Sequence, residues 1–162
     1  MIRSDAVARV KQGLGFRTDL DDAIIAALQE AQRELESGTT LAWFLIEKDA
    51  TLLTVAGQQS ITLPTGFIRL VEYEGPHYTT TSTGLYYLEL RPYDEAKRFH
   101  SGYASGAPRA LAIRPNEFAV FPLPDAEYSI TTSYYKKADV LSSDIENVWL
   151  ANCTQRQAGW GG

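Results

Sequence analysis

Two periods divide this chain. Before Ser37 the apolar positions recur every three or four residues, as on a helix face; beyond Ala50 they mostly alternate in twos. A first short helix is expected from Ser4 or Asp5, with Ala6, Val7, Val10 and Leu14 along one side and Gly13 and Gly15 as its stop. A second opens at Thr18, with Asp21 as its capping-box partner and Asp19 and Asp22 at the positive end of the dipole. Leu20, Ile24, Ala27, Leu28, Ala31 and Leu35 mark one stripe; Glu30, Arg33, Glu34 and Glu36 take the other side, until Ser37-Gly38. That stripe is expected to be core within the chain itself. The dense run 41–46, holding Trp43 and Phe44, suits either a core strand or a packed linker, or else an anchor at a subunit interface.

The second half reads as short strands with turn punctuation. Runs 52–55 and 60–63 flank Ala56-Gly57-Gln58-Gln59 and predict a hairpin. Strands are expected at 67–74, 85–90, 110–113, 118–121 and 128–135. The Thr-rich stretch 75–84 and the Gly/Ser stretch 101–108 predict loops, and 93–99 a short helix with acids first and bases last. Ser142, Ser143 and Asp144 offer caps for a short helix through Trp149 and Leu150, followed by a tail from Thr154. The fold class is therefore α+β: N-terminal amphipathic helices, an antiparallel β-sandwich-like or β-barrel-like insert, and a short C-terminal tail. The expected segments are 1–50, 51–141 and 142–162, forming one structural unit.

Charge and chemistry narrow the function. A net charge of −5 disfavours tight nucleic-acid binding but suits a wall along which DNA slides without sticking. The one cysteine, Cys153, excludes an internal disulfide and a multi-thiolate metal site. The N-terminus has no apolar signal region, and no run reaches the ~20 apolar residues of a membrane span. His77 and His100 each lack a second ligand at metal-binding spacing, and no phosphate loop, dinucleotide fingerprint or nucleophile elbow occurs. Asp21-Asp22 and Asp94-Glu95 sit where a helix start wants negative charge. No catalytic residue, metal or cofactor is expected. Lys136-Lys137, after Tyr134-Tyr135, is either a solvated strand end or a contact for an acidic partner or a DNA phosphate.

The order of elements carries a resemblance. Two amphipathic helices ending in AQRELES are followed by LAWFLIEKDATLLTVAGQQSITLPTGFIRLVE, then by LRPYDEAKRF and GAPRALAIRPNEFAVFPLPDAEYSITTSYYKKADVLSSDIENVWL. TVAGQQSITLPTGFIRL and FPLPDAEYSITTSYYKKADVLS are the most specific parts. Over residues 3–150 the chain resembles the head-to-tail adaptor (connector) proteins of short-tailed and related bacteriophages. The resemblance implies a virion protein at the head-tail junction, with no enzymatic activity. It implies a homo-oligomeric ring of about twelve copies, closed by a head-to-tail interface. The ring would dock on the portal protein, extend the channel for double-stranded DNA and hold tail or nozzle proteins, without membrane contact. Relatives continue into further helices beyond NVWL, whereas residues 151–162 are short and glycine-ended. Subunit or partner contacts are expected at Trp43, Phe44, Tyr86, Tyr87, Tyr134, Tyr135, Lys136, Lys137, Trp149 and Trp160. The rival class is a small carbohydrate- or protein-binding β module, in which Tyr86, Tyr87, Tyr134 and Tyr135 would stack on sugar rings.

Overall fold

The computed structural model describes residues 2–80, 84–141 and 146–155; Trp160 lies outside them. The chain forms two compact units, residues 1–45 with 137–162 and residues 46–136.

The helical unit begins with α1, Arg3–Gly13, whose start is tied by the Ile2 amide donating to Asp5 Oδ2 at 3.3 Å. Gly15 turns the chain with φ +72°, a backbone state that costs a side chain strain. The second helix, α2, runs Asp21–Ser37, three residues later than Thr18 predicts. The acids that were to cap it are engaged otherwise: Asp19 holds Arg17 at 2.6 Å, and Asp21 holds Lys11 of α1 at 2.6 Å. At 17 residues it is about 25 Å long. Its apolar stripe is only partly covered. Ile24 is buried, Leu20 and Leu28 are half-buried, and Ala27, Ala31 and Leu35 stand in solvent. The run at 41–46 is neither strand nor linker throughout: Trp43–Leu45 is a single 3₁₀ turn, buried through Leu45.

In the β unit the strands are β1 (Ile46–Leu53), β2 (Ser60–Thr62), β3 (Phe67–Leu70), β4 (His77–Thr80) and β5 (Gly84–Tyr87). Next come β6 (Glu89–Leu90), α3 (Tyr93–His100), β7 (Ala110–Arg114), β8 (Glu117–Phe121) and β9 (Ser129–Lys136). One sheet has the order β1-β9-β4-β5, with β3 also on β9; the other is β2-β8-β7-β6, with β6 and β7 parallel and the remaining pairs antiparallel. Among the described residues neither sheet closes into a barrel.

Three local expectations give way here. The hairpin at 52–63 does not pair its own strands: Leu52 lies opposite Ile130 and Ile61 opposite Phe118. Only a Val55–Gln58 bridge remains around Gly57, because the two strands serve different sheets. The 85–90 strand changes sheets at Leu88, whose amide donates to the Pro76 carbonyl while that of Glu89 donates to Arg109. The stretch 75–84 contains β4, because Tyr78 is pinned in the core and its hydroxyl donates to the Pro108 carbonyl at 3.0 Å.

Leu52, Leu70, Tyr78, Ile130 and Tyr134 from the first sheet meet Leu111, Phe118 and Val120 from the second in one cluster. Phe118 is completely buried there, edge-on to Phe67 at 5.2 Å. The period-2 alternation of 128–135 accounts for this, since Ile130, Thr132 and Tyr134 all face the interior. Helix α3 packs on β7 and β8 through Ala96, Ala110, Ala112, Ala119 and Phe121, the four alanines being small enough to let the helix approach closely.

His100, at the end of α3, stacks on Phe121 with 6.1 Å between ring centroids and lies 5.3 Å from Tyr103. Burial among these rings, then the Arg109 and Arg91 charges, lower its pKa against a weaker opposing pull from Glu89. A base with a depressed folded pKa stabilises the fold above its unfolded value and loses that contribution as pH falls. The β unit is expected to weaken as pH drops below about 6.5, the ordinary histidine value. Urea midpoints at pH 7.5 and 5.5 check this: His100→Phe should show a smaller fall than the wild type.

Candidate functional site

His77 Nδ1 sits 3.0 Å from the Gly75 carbonyl and its ring packs on Tyr87, while His100 is enclosed by aromatic rings. Among the described residues, no group of three or more His, Cys, Asp or Glu could hold a metal ion. None of the described helices is long and apolar enough to cross a membrane.

In the helical unit two features stand out. The first is an apolar groove of about 400 Å³, lined by Val10 of α1 and Leu14 just after it, by Leu20 just before α2, and by Ala23, Ile24, Ala27 and Leu28 of α2. Leu14 is 48 % exposed beside it. The second is a buried polar knot. Glu36 Oε1 accepts hydrogen bonds from Gln32 Nε2 at 3.0 Å, the Ala138 amide at 3.1 Å and the Trp149 indole N–H at 2.9 Å. Asn147 Nδ2 donates to Gln32 Oε1 at 3.2 Å and to the Asp139 carbonyl at 2.9 Å. Asn147 Oδ1 accepts from the amides of Trp149 and Leu150, capping α4 (Val148–Gln155). A ring contact completes the knot: Phe44 meets Trp149 edge-on at 4.9 Å. The last helix is thereby tied to α2 and to the segment before it.

The aromatic residues singled out from sequence take different places. Trp43 is 74 % exposed, whereas Phe44 and Trp149 are half-buried against each other. Tyr86 and Tyr87 lie exposed on β5, with Tyr86 leaning on Tyr78. Tyr134 belongs to the core cluster, and burial pushes its hydroxyl pKa up. Its neighbour Tyr135 points the other way, half-buried under the Arg69 guanidinium at 5.2 Å. Lys136 is half-buried and Lys137 exposed.

A family model for the SU10 adaptor protein matches residues 1–156, a span that takes in both compact units. The chain belongs to the SU10 adaptor protein family. The adaptor is therefore a structural bacteriophage protein of the head-tail junction, where its class joins portal and tail proteins, and the family is not a known enzyme family. A search of the curated proteins finds no match.

Sequence reasoning missed both the groove and the polar knot of the adaptor's helical unit. Nothing in a 3.6-residue stripe says whether its cover comes from the same chain. The knot had a faint signal: Gln32 and Glu36 stand four residues apart, and Asn147 directly precedes a helix.

Proposed function

We propose that the adaptor assembles head-to-tail into a ring of about twelve copies. The ring docks on the portal, continues its channel for double-stranded DNA and offers a platform to tail or nozzle proteins. The observation that carries this reading is the family match over residues 1–156. The surface chemistry supports it: large apolar side chains, among them Trp43, Leu14 and Tyr87, stand exposed, as expected of a protein whose interfaces are filled by partners. A net charge of −5 per copy keeps a passing polyanion from adhering to the channel wall. Trp43, Tyr87, Tyr135, Lys136 and Lys137 are the proposed contact residues outside the groove, Phe44 and Trp149 being partly spent on each other.

Sedimentation velocity of the adaptor with its cognate portal protein tests the reading. Co-sedimentation as a large complex carrying many adaptor copies per portal is expected. An adaptor that stays monomeric and sediments apart from the portal at every concentration would refute it.

A further inference from the structure

The groove between α1 and α2 has a charge pattern that selects its occupant. Residues 3–17 carry Arg3, Arg9, Lys11 and Arg17 against Asp5 alone. Residues 19–36 carry Asp19, Asp21, Asp22, Glu30, Glu34 and Glu36 against Arg33 alone. Within the chain Lys11 is paired with Asp21, Arg17 with Asp19 and Arg33 with Glu30. Glu36 is used in the polar knot. Among the described residues this leaves Arg3 and Arg9 on α1 and Asp22 and Glu34 on α2 without an ion-pair partner.

Helical spacing puts two of these on the line of the groove, each about 10 Å along its helix from a lining residue. Arg3 is seven residues before Val10 and Glu34 seven after Ala27, so each lies nearly in line with a groove residue on its helix. The apolar strip thus has a cationic rim on α1 and an anionic rim on α2. The chain carries both complements itself, which is what a second copy needs and what a partner of a single charge sign does not match.

We propose that this groove is the seam between adjacent copies, with the α1 rim around Arg3 of one copy set against the α2 rim around Glu34 of the next. The proposal rests on the ring reading and adds to it the surface, the polarity and the salt dependence. Two different rims meet, so the contact is heterologous and leaves a free rim at each end for the next copy. Small side chains at Ala23, Ala27 and Ala31 permit close approach of another helix. Glu34 is exposed and Arg3 half-buried, so both charges reach solvent and added salt weakens the seam.

Ala27→Glu tests the apolar strip, because Ala27 is exposed in the single chain and glutamate is a good helix former. With portal protein present, the adaptor concentration at half-assembly is expected to rise about a hundredfold or more, since a charge would be shut into an apolar seam. Ala26→Glu, also at an exposed position but outside the groove lining, is expected to assemble as the wild type does. Arg3→Glu and Glu34→Arg are each expected to weaken assembly about tenfold, and an equal mixture of the two to restore it. Circular dichroism of each variant confirms that it is folded. If the wild type assembles and folded Ala27→Glu assembles equally well, or the mixture fails to recover, the seam is wrong while the ring stands. If the wild type itself never assembles on the portal, the ring reading fails and the seam with it.

Discussion

Phe118→Ala is expected to lower the stability of the β unit by about 3–5 kcal/mol, the cost of emptying a fully buried phenylalanine site. Phe118 is completely buried and belongs to a cluster that joins side chains of both sheets. Its neighbours in that cluster, Leu111, Val120 and Ile130, are themselves fully buried, so little can collapse into the space. The measurement is selective. All nine tyrosines lie within residues 46–136, and all three tryptophans lie outside that range. Urea unfolding followed by tyrosine near-ultraviolet circular dichroism should therefore show a much lower midpoint, with a smaller change in the tryptophan signal. Ile113→Ala, on the same strand pair but 48 % exposed, should cost far less.

Glu36→Ala is expected to be the second large loss, about 3 kcal/mol, felt in the helical unit. One carboxylate oxygen serves three N–H groups, from Gln32, Ala138 and Trp149. Removing it takes the acceptor from the Ala138 amide and the Trp149 indole at a site largely closed to water, while Gln32 Nε2 keeps the Asp139 carbonyl at 3.2 Å. Tryptophan fluorescence reports this directly, because the Trp149 indole is one of the three donors. The expected result is an earlier unfolding transition and a Trp149 environment opened to solvent. Glu36→Gln keeps an amide oxygen that can accept the same N–H groups and should recover most of the loss. An Ala variant as stable as the wild type would show that the knot does not hold α4.

Where the residues themselves dictate backbone shape, the fold was legible. Strands β7, β8 and β9 fall where alternation and Pro/Asn punctuation place them, and α3 where its charge order does. Pairing was less legible. Gly57 and its neighbours do turn the chain, but a turn signal reports local geometry and not which strand each arm meets. That choice was made by distant residues, Ile130 for Leu52 and Phe118 for Ile61. The stretch at 75–84 misled because threonine is common in loops and strands alike; Tyr78, with a core site and the Pro108 carbonyl to reach, decided for a strand. The α2 stripe was read correctly as an apolar face, yet periodicity cannot tell whether the face is covered by the same chain. Tyr134 and Tyr135 could be separated by the period-2 rule, which puts neighbours on opposite faces.

The most direct test of the account is an image of the adaptor bound to its portal, by electron cryomicroscopy of the purified complex. The account predicts a closed ring of about twelve adaptor copies, coaxial with the portal, with each α1 rim facing the α2 rim of the next copy. A single adaptor copy on the portal, or no density for it at all, would contradict it.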